Sequence, residues 1–240
     1  MSGSVRIKVC GVIHPDDALA AVDAGADLVG LNFVPGSPRC LEIRAAERLS
    51  ELLAGSGVER VAVFQNASWD EMEHVLRRVE FERVQFHGDE TEEEVEAVDL
   101  PVIKAIRGAD VEAAETYPGT LLLLDHPSEG GGRGRVWDWS EASELISLGH
   151  DVILAGGLDP ANVGRALADV GDLLPWGVDV ATGVEGEAHR KDPARMEAFV
   201  EAVRRAEDAE GEDGAGGGSE DGAGGGSEDG AGGGSEERDE

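Results

Sequence analysis

Short apolar runs alternate with longer amphipathic stretches along most of the chain. Most of these runs are nearly continuous and lack the polar–apolar alternation of a half-exposed strand, which is typical of parallel strands buried on both faces. They lie at residues 5–10, 28–33, 61–65, 83–87, 102–106, 121–125, 152–155 and 177–181. The pattern therefore predicts eight strands joined by crossover segments.

The segments between these runs carry signals for the start of a helix. Ser68 and Thr91 each stand three residues before a glutamate, which is the spacing of a capping box. Pro160 and Pro193 each follow an aspartate, which predicts a proline at the first position of a helix. Eight strands alternating with eight helical stretches predict an α/β protein, a single (β/α)8 TIM barrel over residues 1–206. A doubly wound open sheet is disfavoured, because no G-x-G-x-x-G follows the first strand.

The end of the chain has a different composition. The octapeptide Glu-Asp-Gly-Ala-Gly-Gly-Gly-Ser occurs in succession at 212–219, 220–227 and 228–235. A segment without an apolar side chain larger than alanine cannot bury enough surface to offset the entropy lost on ordering. Residues 207–240 are therefore predicted to form a disordered, acidic Gly/Ser-rich tail.

Acidic residues outnumber basic ones by 51 to 20, giving a formal net charge of −31. Such a surface repels nucleic-acid backbones and anionic lipid, so no nucleic-acid or membrane partner is expected. The apolar runs are too short to cross a bilayer, and the N-terminus has no secretory signal. Two cysteines, Cys10 and Cys40, do not make a disulfide framework. We therefore expect a soluble, cytoplasmic protein.

The basic residues include only three lysines, Lys8, Lys104 and Lys191. An acid excess with scarce lysine predicts a halophilic protein, adapted to high salt, where counterions screen the self-repulsion of the surface. An ordinary acidic protein is the alternative interpretation.

In a (β/α)8 barrel, the chemistry is carried by the C-terminal ends of the strands and the loops that follow them. Those positions hold Cys10, Arg39, His87, Asp125, Gly156, Gly157, Asp179, Thr182 and Gly183. A thiol, carboxylates, an imidazole and a guanidinium are thus expected at one rim. Neither a His-x₃-His pair nor a CxxC motif occurs, so no metal site is predicted.

Short sequence motifs surround these positions and follow one another in a characteristic order. They are Lys8-Val9-Cys10-Gly11, Ser37-Pro38-Arg39, Gln85-Phe86-His87-Gly88-Asp89, Leu124-Asp125, Ala155-Gly156-Gly157-Leu158 and Gly177-Val178-Asp179-Val180. In this order and spacing the chain resembles the phosphoribosylanthranilate isomerase family, (β/α)8 enzymes of tryptophan biosynthesis. The resemblance covers essentially all of residues 5–203.

The resemblance implies an Amadori rearrangement as the reaction. N-(5-phosphoribosyl)anthranilate, a small-molecule substrate, becomes 1-(o-carboxyphenylamino)-1-deoxyribulose 5-phosphate. No metal or organic cofactor is implied, because the substrate's own nitrogen serves as the electron sink.

The resemblance also implies roles for individual residues. Cys10 is the general base, which requires a pKa lowered towards neutrality by helix N-termini or by a cation such as Arg39. Asp125 is the general acid, which requires it to be protonated when substrate is bound; a dry mouth beside phosphate would raise its pKa and permit that. Arg39 binds the anthranilate carboxylate. His87 and Asp179 are candidates for orienting the sugar hydroxyls.

Phosphate binding is expected in the last two loops of the barrel, where this fold commonly places it. Gly156 and Gly157 would let backbone N–H groups approach the phosphate. Thr182 and Gly183 would add a hydroxyl and further amides at a short helix N-terminus.

Structural interpretations stand beside these roles. Cys10 could be a small buried hydrophobe, Asp125 a turn residue, Arg39 an ion-pair partner of Glu42, and His87 a satisfied structural group. For the whole chain, the alternative is a non-catalytic barrel that acts as an interaction module through its acidic tail.

Two related phosphate-binding barrel enzymes are disfavoured. The histidine-pathway isomerase uses two aspartates, whereas this chain has Cys10 at the end of its first strand. Indoleglycerol-phosphate synthase uses a lysine and a glutamate as its base and acid. In this chain the only lysine near the end of a later strand is Lys104, and it lies inside the fifth strand. The chain is expected to be a monomer or a homodimer.

Overall fold

Eight parallel strands close into a barrel in the computed structural model, which describes residues 4–127, 137–171 and 173–213. The strands are β1 (Arg6–Cys10), β2 (Leu28–Asn32), β3 (Glu59–Phe64), β4 (Arg83–Phe86), β5 (Val102–Arg107), β6 (Leu121–Asp125), β7 (Val152–Leu154) and β8 (Gly177–Val180). Each strand pairs with its neighbours in sequence order, and β1 pairs with β8 to close the barrel. The predicted (β/α)8 fold is confirmed, with every strand end within two residues of the predicted run.

The connecting segments contain the helices of the outer layer. They are α1 (Pro15–Ala24), α2 (Ile43–Leu53), α3 (Trp69–Leu76), α4 (Glu92–Glu96), α5 (Val111–Glu115), α6 (Ala142–Ser147), α7 (Val163–Val170) and α8 (Pro193–Asp213). Short 3₁₀ helices lie at Trp139–Glu141, Thr182–Val184 and Glu187–His189. No helix in the described ranges is long and apolar enough to cross a membrane.

The helix start signals are confirmed at three positions and wrong at one. Capping boxes form at Ser68 and Thr91, and Pro193 is the first residue of α8. Pro160, in contrast, lies in a turn before α7. The carboxylate of Asp159 accepts hydrogen bonds from the backbone N–H groups of Ala161 and Asn162, and this turn delays the helix to Val163.

The final helix continues to Asp213, beyond the barrel boundary at 206 that composition indicated. Near that boundary, the backbone N–H of Val5 donates to the carboxylate of Glu207 at 2.5 Å, which ties α8 to the start of β1. The remainder of the predicted disordered tail, residues 214–240, lies outside the described residues.

The apolar runs are continuous because the strands are buried on both faces. Leu121 and Leu123 of β6 belong to the cluster inside the barrel, whereas Leu122 and Leu124 pack outwards against the helices. The same alternation turns Lys8 and Cys10 of β1 towards the barrel interior. The last inward-facing residue of each strand therefore reaches the mouth at its C-terminal end.

A buried ion pair ties the loop after β4 to β5. The Lys104 ammonium donates to the Glu90 carboxylate at 2.9 Å and to the Gly88 carbonyl oxygen at 2.6 Å. Glu90 also accepts from the backbone N–H groups of Asn66 and Gly88. These contacts fix the backbone on both sides of the β4 end.

We expect Lys104→Met to lower the free energy of unfolding by about 3–5 kcal/mol, because it leaves the buried Glu90 carboxylate without its cation. The double variant Lys104→Met/Glu90→Gln should recover much of that loss, because no buried charge remains and the amide oxygen still accepts from the backbone N–H groups of Asn66 and Gly88. Urea denaturation measures both. The control is Arg77→Ala, which removes an exposed pair with Glu73 worth less than about 1 kcal/mol. Equal losses in Lys104→Met and the control would contradict the expectation.

Candidate active site

A cavity of about 430 Å³ opens at the C-terminal ends of the strands. Eight of the nine predicted site residues line it, namely Cys10, Arg39, His87, Asp125, Gly156, Gly157, Asp179 and Thr182. Gly183 does not line the cavity. It packs against the backbone of Leu158, since a Cβ built on it would lie 2.1 Å from the Leu158 carbonyl oxygen. Within the described ranges, no group of three or more His, Cys, Asp or Glu side chains is placed to hold a metal ion.

Cys10 shares its corner of the cavity with a buried ion pair. The Lys8 ammonium, with 1% of its side chain exposed, donates to Asp179 Oδ1 at 2.7 Å across the β1–β8 seam. Burial lowers the pKa of Lys8, but the charges and hydrogen bonds of Asp179 and Cys10 outweigh it, and the pKa is raised. Lys8 is therefore a charged ammonium directly beneath the thiol.

The thiol itself is held in its protonated form. Burial raises the pKa of Cys10 and Lys8 opposes that rise, while Asp179 adds to it; the pKa lies above its ordinary value. The sequence-based expectation of a lowered pKa is therefore wrong for the free protein. Lys8 is the main cation that opposes this rise and Lys191 adds a smaller effect, whereas Arg39 is the cation expected from the sequence.

Asp125 forms a hydrogen-bonded pair with His87. His87 Nε2 lies 3.1 Å from Asp125 Oδ2, and the backbone N–H of His126 donates to Oδ1 at 2.8 Å. Burial disfavours the carboxylate, but His87 and the His126 N–H outweigh burial, so the pKa of Asp125 is lowered. Asp125 is therefore ionised in the free protein, and the raised pKa expected from the sequence belongs to the site with substrate bound.

A glutamine completes this row of side chains. Gln85 lies two residues before His87 on the same inward face, and its Nε2 is 2.9 Å from His87 Nδ1. Its side chain is fully buried, and its Oε1 has no hydrogen-bond partner within the described residues. Gln85, His87 and Asp125 thus form one line from the barrel interior to its mouth.

Arg39 is bound edge-on by a buried glutamate. Its Nε and Nη2 donate to the two carboxylate oxygens of Glu185 at 2.6 and 2.8 Å, and Nη2 also donates to Thr182 Oγ1 at 3.2 Å. The structural interpretation of the sequence paired Arg39 with Glu42, whereas in the structure Arg39 pairs with Glu185. Within the described ranges, the N–H groups of Nη1 have no hydrogen-bond partner.

Glu185 holds a second cation as well. Lys191 Nζ donates to Glu185 Oε1 at 2.9 Å and to the Ala181 carbonyl oxygen at 2.8 Å. Burial opposes ionisation of Glu185, but the hydrogen bonds and charges of Arg39 and Lys191 outweigh it and lower its pKa from 4.5 to about 2. This carboxylate therefore fixes the loops after β2 and β8 relative to each other.

The loop after β7 is shaped by two glycines with positive φ. Gly156 and Gly157 have φ values of 76° and 86°, in the left-handed region that favours glycine. A Cβ on Gly156 would also lie 2.7 Å from the backbone nitrogen of His126 and 2.9 Å from Trp137 Nε1. The backbone of this loop therefore comes close to the loop after β6.

Sequence reasoning missed Lys8, Gln85, Glu185 and Lys191. Lys8 and Gln85 had a readable signal, because each stands two residues before a predicted site residue on the same strand and thus faces the same way. Glu185 had none, since its partner Arg39 is 146 positions away in the chain.

Comparisons with known proteins point to one family. The profile described as N-(5'phosphoribosyl)anthranilate (PRA) isomerase matches residues 7–202. A Pseudomonas aeruginosa relative named N-(5'-phosphoribosyl)anthranilate isomerase is 45% identical over 208 residues, which are 84% of this chain and 96% of the relative.

Solved structures agree. Phosphoribosyl anthranilate isomerase from Thermotoga maritima is 35% identical with a TM-score of 0.77, covering 84% of this chain and 99% of its own. A phosphoribosyl anthranilate isomerase in complex with reduced 1-(o-carboxyphenylamino)-1-deoxyribulose 5-phosphate is 33% identical with a TM-score of 0.74, with the same coverage.

The lowered pKa of Glu185 makes its stabilising contribution depend on pH. A carboxylate whose pKa falls on folding stabilises the fold above its unfolded value, and this contribution is lost as pH falls through the folded value. We therefore expect the difference in free energy of unfolding between the wild type and Glu185→Gln to narrow between about pH 4.5 and pH 2. Urea denaturation across this range measures it, with the exposed Glu187→Gln as control. A difference that does not change with pH would contradict the expectation.

Proposed function

Because the chain belongs to the N-(5'-phosphoribosyl)anthranilate isomerase family of tryptophan biosynthesis, we propose that Cys10 and Asp125 catalyse the Amadori rearrangement of N-(5-phosphoribosyl)anthranilate as general base and general acid. The observation that carries this proposal is that the thiol and the carboxylate line one cavity from different strands, β1 and β6. Two proton-transfer groups then face one bound substrate.

The reaction needs an acid first and a base second. Asp125 protonates the ribose ring oxygen as the C1–O bond breaks, and the nitrogen lone pair forms the C1=N iminium. Cys10 then removes the C2 proton, and that electron pair moves to nitrogen to give an enolamine. Return of a proton to C1 and loss of the proton from the C2 hydroxyl then form the C2=O group of the ketose product and restore Cys10 and Asp125 to their starting states. The substrate's nitrogen takes up and returns the electron pair, so the step is an isomerisation without net oxidation.

The charge of the bound substrate raises the pKa of Asp125, which is ionised in the free protein. The substrate brings a phosphate and a carboxylate into the cavity, and like charges near a carboxylate raise its pKa. Binding also excludes water from the mouth, which disfavours the ionised form further. Asp125 is therefore protonated when the substrate is bound, as a general acid must be.

The iminium supplies the charge that Cys10 needs. The positive charge at C1 lies two bonds from the C2 proton that the thiol takes, and an opposite charge at this distance favours the thiolate. Lys8 adds a second cation beneath the sulfur. The proton affinity of the thiol is thus reduced at the step in which it acts as the base.

Arg39 is proposed to bind the anthranilate carboxylate through its Nη1 edge. Glu185 and Thr182 hold the Nε and Nη2 atoms, which fixes the plane of the guanidinium before the substrate arrives. A guanidinium held in this way loses little side-chain entropy on binding. Asp179 and His87 line the same cavity and are proposed to orient the sugar hydroxyls.

The phosphate is proposed to lie between the loops after β7 and β8. The backbone of Gly156 and Gly157 faces the cavity there, and Thr182 contributes a hydroxyl. Gly183, which is set back from the cavity, contributes through the local backbone conformation.

The proposal predicts that Cys10→Ser and Asp125→Asn each lower kcat by about 100-fold or more, the usual contribution of a general acid or base. The measurement is the loss of anthranilate-conjugate fluorescence when freshly made phosphoribosylanthranilate is added to the full chain. Molar KCl is present, because we propose that the acid excess is an adaptation to high salt.

Matched controls are Cys40→Ser, which removes the exposed thiol, and Asp151→Asn, which changes an exposed carboxylate before β7. Both should retain the wild-type rate. Wild-type rates in Cys10→Ser and Asp125→Asn would overturn the assigned roles. A folded wild type that leaves the fluorescence unchanged would instead favour a non-catalytic barrel.

A further inference from the structure

Gln85 contacts the His87–Asp125 pair from the side away from the substrate. Its Nε2 lies 2.9 Å from His87 Nδ1, and His87 Nε2 lies 3.1 Å from Asp125 Oδ2. The side chain of Gln85 is 1% exposed, so water does not compete for the amide. The proton positions along this row are therefore set by the three side chains together.

Among the described residues, the side-chain amide of Gln85 makes one hydrogen bond, the contact of its Nε2 with His87 Nδ1. Its Oε1 is buried and has no hydrogen-bond partner among the described residues. The amide of Asn162, in contrast, is bound at both ends, with Nδ2 donating to the Gly157 carbonyl and Oδ1 accepting from the Asp159 N–H. Asn32 is likewise bound at both ends, by Ser37 and Val34. Those amides cannot turn without losing hydrogen bonds, whereas among the described residues the amide of Gln85 has only its contact with His87 Nδ1 to exchange when it turns.

With its NH₂ group at Nδ1, the amide selects one tautomer of His87. An amide N–H donates only to a nitrogen that carries a lone pair, so Nδ1 is unprotonated and the ring proton is on Nε2. That Nε2–H donates to Asp125, which must then be the acceptor carboxylate. This orientation matches the ionised Asp125 of the free protein.

With the amide turned by half a turn about its last bond, the row holds one more proton. Oε1 then faces Nδ1 and accepts an Nδ1–H. The second proton lies between His87 Nε2 and Asp125 Oδ2, either as an imidazolium beside a carboxylate or as a neutral imidazole beside a protonated Asp125. Only this form carries a proton that Asp125 can deliver to a substrate.

We infer that Gln85 is a positioning residue that sets the tautomer of His87 and, by turning its amide, lets the pair take up the proton that Asp125 delivers. The delivery of that proton rests on the proposed function of Asp125 as the general acid. The tautomer of His87 in the free protein does not depend on it, and this allows the two to be tested apart.

Several charged groups face this row. Arg107 of β5 lies opposite Asp125 in the strand register, and His126 follows Asp125 on the loop after β6. Lys104 and Glu90 form a neutral pair beside Gly88, and Asp89 is exposed on the same loop. Gln65, the residue directly after β3, is uncharged and donates to the His87 carbonyl oxygen at 3.2 Å. Across the cavity lie Lys8, Cys10 and Asp179. All of these remain in the Gln85 variants, so a shift measured in the variants reports the amide.

The test is the ring ¹⁵N spectrum of His87 in the full-length, substrate-free protein, recorded by long-range proton–nitrogen correlation. The His87 signals are assigned by their loss in His87→Gln. In the wild type we expect an unprotonated Nδ1 and a protonated Nε2. Gln65→Met is the control, because Gln65 contacts the backbone of His87 rather than its ring, and it should leave the tautomer unchanged.

Two substitutions of similar size separate the amide's two roles. Gln85→Glu offers only an acceptor, so Nδ1 should become protonated. Gln85→Met offers neither donor nor acceptor, so the preference for the Nε2–H tautomer should weaken. In turnover, Gln85→Met should lower kcat by about tenfold, as substitutions behind a functional histidine commonly do, with little change in KM.

A wild-type His87 protonated at Nδ1 would overturn the inference, and so would a tautomer that is unchanged in both Gln85 variants. Failure of the proposed function has a different signature, which is absence of turnover in the wild type with the expected tautomer still present.

Discussion

The ammonium of Lys8 is the charge around which the mouth of this barrel is organised. It lies inside the barrel, where an unpaired cation would be costly, so a carboxylate must meet it there. Asp179 supplies that carboxylate from β8, the strand that closes the barrel onto β1. The pair thus joins the first strand to the last. It also places a positive charge beneath Cys10, in a site where burial otherwise opposes a thiolate.

The free site holds its protons in the opposite arrangement to the one that the proposed reaction uses. Cys10 retains its proton and Asp125 has lost its own, in each case because of the immediate surroundings: burial at the thiol, and His87 at the carboxylate. The substrate carries two anionic groups and develops a cation at C1, and these charges act in the direction that reverses both states. Catalysis here is thus a property of the complex, and the free protein holds the groups in place.

Much of the fold and part of the site could be predicted from the sequence. The continuous apolar runs gave the strands because burial on both faces leaves no alternation, and capping boxes marked α3 and α4. The helix start predicted at Pro160 is wrong because local hydrogen bonds to the Asp159 carboxylate form a turn there instead. The position of Cys10 and Asp125 at the cavity could be predicted because strand ends meet at one rim. That of Glu185 could not, because its ion pair with Arg39 exists only once the barrel has closed.

The effect of the Lys8 ammonium on the site is tested most directly by the pKa of Cys10, measured with and without the Lys8 charge. With Cys40→Ser as background, Cys10 is the single thiol, and its ionisation can be followed by the ultraviolet absorbance of the thiolate. We predict a pKa above the ordinary cysteine value in this background, and a higher one still in Lys8→Met, because the cation that favours the thiolate is gone. A pKa that is unchanged or lower in Lys8→Met would contradict the account.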